Sequence, residues 1–289
     1  MRLLLLLPAC LFPFLSCNII NPSEEIPGYV VVEDYTVSTQ NGEGTSSSNI
    51  REMWVYANDN IQGVYSTPLK VPVIASGNTR ITCYPGIWNN GIGSLRIRYP
   101  FLAAFDTTVN MQPNEEVKLQ PHFIYLENLS IDATRNFDNS LGFNGSGSNA
   151  GVMTHITDPN LVYEGNGSAL IALNEGQNYF LFSDANTFTF TTGNTVFLEM
   201  NYSCTNSFNV GCFITDGSNS SKVPVLTLTP TTSDASGVQV WNKIYLDFGA
   251  LGLIAPGADH FRIYFEGARN ESSQPKVYLD NLKLVKFEE

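Results

Sequence analysis

Few side chains in this sequence have the type and spacing that a catalytic site requires. The chain contains no Gly-x-Ser-x-Gly nucleophile elbow and no His-Glu-x-x-His metal motif, and no cysteine stands with a histidine on a recognisable scaffold. Its acidic residues could supply the carboxylate pair of a glycosidase, but chain order alone does not place two carboxylates at the separation that this chemistry needs. Solvated loop carboxylates are the simpler interpretation. No catalytic residue is assigned, and we expect the protein not to be an enzyme.

Spacing also gives no support to a zinc site. His122, His155 and His260 are scattered along the chain, and no two cysteines are separated by two residues. Cys83 is most simply a small residue of the core.

Cys204 and Cys212 flank seven residues that resemble the tip of a hairpin. An exported protein would meet conditions that permit a disulfide between them. Two buried thiols on adjacent strands explain the same spacing, so both alternatives remain open.

Aromatic side chains offer the most plausible binding chemistry, because a sugar ring stacks on an aromatic plane while Asn, Asp, Gln or Arg bind its hydroxyl groups. The chain has 13 Tyr and 18 Phe, and aromatic residues make up 12% of it. Any single aromatic residue is more often part of a core than of a binding surface. The candidates for a ligand-binding role are Trp88 in an Asn-rich loop, Tyr179, Tyr202 and Phe208.

The charge balance argues against two kinds of anionic partner, nucleic acid and anionic lipid. The formal net charge is −12, and only 15% of the residues are charged. Such a surface repels nucleic acid and anionic lipid headgroups, so we expect neither as a ligand.

The first seventeen residues carry the clearest targeting information. Arg2 precedes an apolar run from 3 to 15, which is too short to span a bilayer as a helix and is typical of a secretory signal. The ending Ser16-Cys17 resembles the lipobox of bacterial lipoproteins. That resemblance implies cleavage before Cys17 and a lipid on its side chain, which would be the membrane anchor. The alternative is an ordinary secretory signal, cleaved elsewhere, that leaves no lipid.

Residues 18–28 are rich in polar and turn-forming types and are expected to form a flexible tether. The pair Glu24-Glu25 resembles the surface-export signals of Bacteroidota lipoproteins, and Asp106-Thr107-Thr108 resembles an O-glycosylation sequon of exported proteins from the same group. These resemblances imply an exported, lipid-anchored protein at the outer membrane or cell surface.

Short apolar runs separated by Gly, Asn, Ser and Pro predict an all-β fold with two antiparallel β-sandwich domains, an Ig-like domain followed by a jelly roll. Residues 29–116 read as the first sandwich, of roughly seven strands. Within it, Asn58-Asp59-Asn60 predicts a hairpin turn, and Pro68 and Pro72 indicate an edge strand. The order of these elements resembles the PEGA-type modules of bacterial envelope proteins, although Val73-Ile74-Ala75-Ser76 stands where the family signature would fall.

Residues 120–289 contain nine further apolar or aromatic runs and no helix of useful length, which predicts a jelly-roll sandwich. The segments 240–248, 261–267 and 277–284 resemble the last three strands of carbohydrate-binding jelly-roll modules. That resemblance implies that Trp241 is buried beneath a sheet. It also implies a structural Ca²⁺ held by Asp138 and Asp280, which would need further oxygen ligands; a local cap or pair at a strand turn is the alternative role for Asp280.

These observations predict a cell-envelope lipoprotein that acts as a non-catalytic binding module, with a glycan as the expected partner. The alternative is a structural or assembly subunit that contacts another envelope protein through an edge strand or a loop surface.

Overall fold

The computed structural model describes residues 24–147, 150–231, 240–270 and 274–288. The predicted signal segment and Cys17 lie outside these ranges. Within them the chain forms twenty-one strands and one six-residue helix, which confirms the all-β class. No helix in the described part is long and apolar enough to cross a membrane.

The first ten strands form three small sheets. Their bounds are β1 (Gly28–Val32), β2 (Thr36–Ser38), β3 (Glu52–Ala57), β4 (Asn60–Ser66), β5 (Leu69–Val73), β6 (Gly77–Trp88), β7 (Arg96–Arg98), β8 (Phe105–Met111), β9 (Glu116–Leu119) and β10 (His122–Ile124). Strands β4, β3, β6 and β7 lie side by side in a five-stranded sheet, in which β8 also pairs with β6. The order β5-β1-β9 forms a three-stranded sheet, and β2 pairs with β10. The pairings are antiparallel except for β1 with β9 and β2 with β10, which are parallel.

The predicted hairpin is present where the sequence placed it. Strands β3 and β4 pair from Glu52 opposite Ser66 to Ala57 opposite Asn60. Asn58 and Asp59 both have positive φ, at 47° and 63°, which is the conformation that a tight two-residue hairpin turn requires and that Asn and Asp tolerate.

The remaining strands form the two sheets of a larger sandwich. Their bounds are β11 (Leu129–Arg135), β12 (Phe143–Gly145), β13 (Val152–Ile156), β14 (Ser168–Ala172), β15 (Tyr179–Asp184), β16 (Val196–Cys204), β17 (Phe208–Asp216), β18 (Asn219–Leu228), β19 (Asn242–Asp247), β20 (His260–Ala268) and β21 (Lys276–Phe287). The helix α1 (Gly249–Ile254) joins β19 to β20. One sheet has six strands in the order β13-β14-β21-β16-β19, with β11 beside β21, and the other has five in the order β12-β15-β20-β17-β18.

The hydrophobic core of the sandwich lies between these two sheets. Alternate residues of each strand point into it, as the period of two in a strand requires. Leu198, Leu279 and Leu284 enter from the six-stranded sheet, and Val210 and Phe265 enter from the five-stranded sheet.

The outer face of the six-stranded sheet is also largely covered. Phe197, Tyr245 and Val285 point away from the sandwich core and join the hydrophobic cluster of the N-terminal strands, where they meet Tyr99 and Phe101. Both faces of β16 are therefore buried along its whole length. This explains why the segment reads as a continuous apolar run with a few polar residues rather than as a clean alternation.

The structure corrects the expected hairpin between Cys204 and Cys212. Strand β16 belongs to the six-stranded sheet and β17 to the five-stranded sheet, so residues 205–207 cross from one layer to the other. Both cysteines are buried free thiols on opposite sides of the core, and Cys83 is a buried free thiol as well.

Candidate functional site

Three aromatic side chains form a cluster on the outer face of the six-stranded sheet, which we call the aromatic row. The ring centroids of Tyr163 and Trp241 are 5.4 Å apart, and those of Trp241 and Tyr278 are 6.2 Å apart. Tyr163 is 37% exposed and Trp241 is half-buried, whereas Tyr278 is buried beneath them. Trp241 and Tyr163 thus expose part of their ring surface to solvent, and the buried Tyr278 packs against Trp241.

The strand register positions this row. Ser203 of β16 is paired with Tyr278 of β21, and Tyr202 is paired with Asn242, so Trp241 and Tyr278 fall on the same outward-facing side. Tyr163 arrives from the loop after β13, and its backbone N–H donates to Ser168 Oγ at 3.1 Å. The row therefore combines one residue of β21, one residue directly before β19 and one anchored loop residue.

Hydrogen-bonding side chains adjoin the aromatic row. Asn281 Nδ2 donates to Glu164 Oε1 at 2.7 Å, and Ser47 Oγ donates to Asn201 Oδ1 at 2.7 Å. Asn281 has a positive φ of 50° at a register shift in β21, which turns its side chain toward this outer face. Amide, hydroxyl and carboxylate groups are the types that bind sugar hydroxyls.

A polar cavity of about 360 Å³ lies on the same face of the sheet. It is lined by the loop from 40 to 45 on one side and by Thr134, Asn136, Asn281 and Lys283 on the other. The Oδ1 atom of Asn281 and the Oγ1 atom of Thr45 are buried without a hydrogen-bond partner. The lining is mostly of polar side chains, which suits a ligand that forms hydrogen bonds.

Two of the predicted ligand-binding residues lie in one cleft. Trp88 and Tyr202 both line a cavity of about 210 Å³ between the N-terminal strands and the sandwich, together with Asn49 and Lys243. The faces of Trp88 are partly occupied, because a Cβ on Gly93 would lie 3.7 Å from three of its ring carbons and the Arg51 guanidinium carbon is 5.0 Å from its ring centroid. Little flat ring surface is left there for a sugar.

The other two predicted residues have different environments. Tyr179 is 40% exposed at the start of β15, and its hydroxyl lies against Gly147. Phe208 is only 1% exposed and packs in the core against Tyr202 and Phe265. Its inward position on β17 leaves the ring no surface for a ligand, so the structure corrects the expected binding role of Phe208.

The two aspartates expected to hold calcium accept hydrogen bonds from protein groups in this structure, and the Ca²⁺ site stays a prediction. Asp138 accepts hydrogen bonds from the backbone N–H groups of Asn166 and Gly167 and from the side chain of Asn136, and so caps the turn before β14. Asp280 is fully buried and accepts from Ser168 Oγ at 2.6 Å and from the Asn281 N–H at 2.8 Å. Among the described residues, no group of three or more His, Cys, Asp or Glu side chains could hold a metal ion.

Burial governs the protonation of Asp280. Removal from water disfavours the charged form and raises the pKa of its carboxyl to about 7, although the bonds from Ser168 and Asn281 act in the opposite direction.

The site residues that sequence reasoning missed are Tyr163 and Trp241. Trp241 was expected in the core, but it lies on the outer face and belongs to neither hydrophobic cluster. The sequence does not show which face of this strand is the inner one, because both the inward-facing Ile244 and the outward-facing Tyr245 are apolar. The outward residues are apolar because the N-terminal strands cover part of this face.

Comparison with known proteins adds context for the fold. No family model matches the sequence, and no curated protein matches it. The chain is similar to a solved carbohydrate-binding module of the β-sandwich superfamily, with 12% identity, a TM-score of 0.41, and coverage of 91% of this chain and 99% of that one.

Two further solved structures are similar over about half of the chain. The CBM22-1 xylan-binding domain of Xyn10C from Paenibacillus barcinonensis has 10% identity and a TM-score of 0.40, with 55% of this chain and 96% of that one covered. The family 11 module of Lic26A-Cel5E from Clostridium thermocellum has 11% identity, a TM-score of 0.39 and the same two coverages, 55% and 96%. Similarity at this level does not identify the ligand of this chain.

Proposed function

We propose that this protein is a non-catalytic module that binds a glycan on the outer face of its six-stranded sheet. The observation that carries the proposal is the aromatic row, in which the ring centroids of Tyr163 and Trp241 lie 5.4 Å apart with ring surface in contact with solvent, beside the polar side chains of Ser47 and Glu164. A sugar ring has apolar C–H faces and a rim of hydroxyl groups, so it is complementary to a site of this composition.

The division of roles follows from position. Trp241 and Tyr163 supply the stacking surface, and Tyr278 supports Trp241 from below. Asn281 adjoins both the row, through Glu164, and the polar cavity, which it lines. A second sugar unit in that cavity would lie against the polar side chains that line it, such as Gln40, Asn41 and Asn136.

The test is a binding assay of residues 24–289 against neutral soluble polysaccharides, such as xylan, β-glucan and mannan, by affinity electrophoresis and calorimetry. Trp241→Ala should weaken binding about tenfold or more, since loss of an aromatic stacking contact costs on the order of 1.4 kcal/mol. Tyr179→Ala is the matched control, because that exposed tyrosine lies on the other sheet of the sandwich. A folded Trp241→Ala variant that binds as tightly as the parent would exclude the aromatic row as the site.

A second candidate function is a structural or assembly subunit of an envelope complex. Leu253 and Ile254 at the end of α1 are 66% and 63% exposed, and β13 and β18 are the outermost strands of their sheets. Exposed apolar side chains and open strand edges are features that bind other proteins. Chemical cross-linking in intact envelopes with a Leu253→Glu control would reveal a partner that depends on this surface.

We also propose that the mature protein is anchored by a lipid on Cys17 at the outer membrane or cell surface. The support is the Ser16-Cys17 ending of the apolar segment. Metabolic labelling with an alkyne fatty acid should mark the wild-type protein and leave Cys17→Ser unlabelled. Labelling of both would contradict attachment at this residue.

A further inference from the structure

Four aromatic side chains lie on one outward face of the five-stranded N-terminal sheet. Trp54 of β3 is paired with Tyr84 of β6, and Trp88 falls four residues further along the same strand, on the same side. Tyr56 is two residues from Trp54, and its ring meets Tyr84 edge to face with centroids 5.6 Å apart. All four are half-buried rather than enclosed. We call this surface, with the arginines described next, the arginine–aromatic face.

Arg98 lies over the centre of this face. Its guanidinium carbon is 4.5 Å from the ring centroid of Tyr84 and 5.0 Å from those of Trp54 and Tyr56. It donates a hydrogen bond to the hydroxyl of Tyr56, and in the described part of the chain it forms no ion pair. Three rings thus hold an exposed guanidinium in place while most of its five N–H groups remain free to bind an anion.

Two more arginines extend the positive charge along the face. Arg51 stacks over Trp88 at 5.0 Å, and Arg96 is paired with Trp88 across the strands. The carboxylate nearest to them is Glu52, which is 1% exposed and lies 3.4 Å from Arg96. Burial raises the pKa of Glu52, and the charge of Arg96 opposes this rise.

This local charge is opposite to that of the whole molecule. The chain has a formal net charge of −12, yet among the described residues Glu52 is the one carboxylate that pairs with Arg51, Arg96 or Arg98; Arg80, on the same sheet, is paired with Asp106 and Asp59. A surface with this distribution attracts an anion specifically at one place, while the rest of the protein repels it.

We propose that the arginine–aromatic face binds an acidic polysaccharide through its uronate residues. The rings hold the arginines in place, and each carboxylate would receive paired hydrogen bonds from Arg98 or from its neighbours Arg51 and Arg96. The proposal concerns a different sheet and a charged ligand, so it goes beyond the neutral-glycan site of the aromatic row and does not depend on it.

The experiment compares two probes with the same backbone, polygalacturonate and its fully methyl-esterified form, in which each charged carboxylate is replaced by a neutral ester, using residues 24–289. The parent protein should bind polygalacturonate at least tenfold more tightly than the ester, and added salt should reduce the difference because exposed charge interactions are screened. Equal binding of both probes, or binding of neither, would overturn the proposal. Tighter binding of single-stranded nucleic acid than of polygalacturonate would also overturn it.

Variants locate the site. Arg98→Gln should weaken polygalacturonate binding about tenfold, and Arg98→Lys should lose nearly as much, because lysine keeps the charge but lacks the planar paired donors. Arg80→Gln is the matched control, since Arg80 is an exposed arginine of the same sheet that is already paired with Asp106 and Asp59. Loss of binding in Arg80→Gln equal to that in Arg98→Gln would mean that only general positive charge matters, and the site would be rejected.

The same samples separate this proposal from the function proposed above. Trp241→Ala should leave polygalacturonate binding unchanged, and Arg98→Gln should leave binding of neutral polysaccharides unchanged. If Trp241→Ala removes polygalacturonate binding while Arg98→Gln does not, the acidic ligand occupies the aromatic row and the assignment to the arginine–aromatic face is wrong.

Discussion

The carboxylate of Glu199 and the ammonium group of Lys243 lie 3.1 Å apart, and both side chains are almost completely buried where the N-terminal strands cover the six-stranded sheet. The other carboxylate oxygen accepts hydrogen bonds from Tyr99 at 2.6 Å and Tyr125 at 2.7 Å. The two tyrosines come from the N-terminal part of the chain and the ion pair comes from the sandwich. One buried polar network therefore joins the two parts.

This network keeps its charge in spite of burial. Burial alone would raise the pKa of Glu199, but Lys243 and Lys283, with the two tyrosine hydroxyls, hold it below the usual value. Lys283 also donates to the backbone carbonyls of Glu43 and Thr45 at 3.0 and 2.7 Å, and so fixes the loop that lines the polar cavity.

Removal of one charge from the network should be costly. We expect Lys243→Met to lower the free energy of unfolding by about 3–5 kcal/mol, because Glu199 would remain buried without its ion-pair partner. The matched control is Lys70→Met, which breaks an exposed ion pair with Glu116 and should cost far less. Urea unfolding followed by tryptophan fluorescence measures both. A Lys243→Met variant as stable as Lys70→Met would contradict this account.

The stability of the protein should depend on pH through Asp280. The pKa of this group rises from 3.8 in the unfolded chain to about 7 in the folded protein, so the folded state binds the proton more tightly. Its contribution is fully present below about pH 4 and is lost as the pH rises toward 7, by up to about 4 kcal/mol.

Asp280→Asn should remove this dependence. The asparagine stays neutral, so the variant should gain stability relative to the parent as the pH increases from 4.5 to 8. Urea unfolding at the two pH values gives the difference, and Asp34→Asn, an exposed site, serves as the control. Parallel pH profiles of Asp280→Asn and the parent would show that the carboxyl does not titrate in this range.

The three thiols of the described chain should be unreactive in the folded protein. Burial raises the pKa of Cys83 to about 12 and also raises the pKa of Cys212, so the reactive thiolate is scarce, and all three sulfurs are enclosed. Residues 24–289 should not react with a disulfide reagent such as DTNB under native conditions and should yield three thiols per chain in urea. A yield of one would indicate a disulfide between two of them.

Phe208 and Trp241 should respond oppositely to truncation. Phe208→Ala removes a ring that is fully packed in the core and should cost about 3–5 kcal/mol of stability, with glycan affinity unchanged at temperatures where the variant stays folded. Trp241→Ala should lower affinity with a smaller loss of stability, because its ring is only partly buried. Thermal unfolding and calorimetric titration of both variants provide the comparison.

The sequence by itself determined the all-β class, the hairpin at Asn58-Asp59 and the general path of the strands. These features depend on local patterns: turn residues that tolerate positive φ, and apolar runs too short for helices. The run from 29 to 37 has the composition of a single strand, but in the structure it is divided into β1 and β2, which belong to different sheets.

Only the tertiary structure decided which face of each strand is covered. A period of two shows which residues share a face but does not show what lies against it. The N-terminal strands cover one end of the outer face of the six-stranded sheet, so Tyr245 is buried there while Trp241, four residues earlier on the same side, remains in contact with solvent. Likewise, Cys204 and Cys212 are close in sequence but belong to opposite sheets, because the short link between them crosses the core rather than turning back within one layer. Contacts between segments far apart in the chain settle such questions, and no local pattern records them.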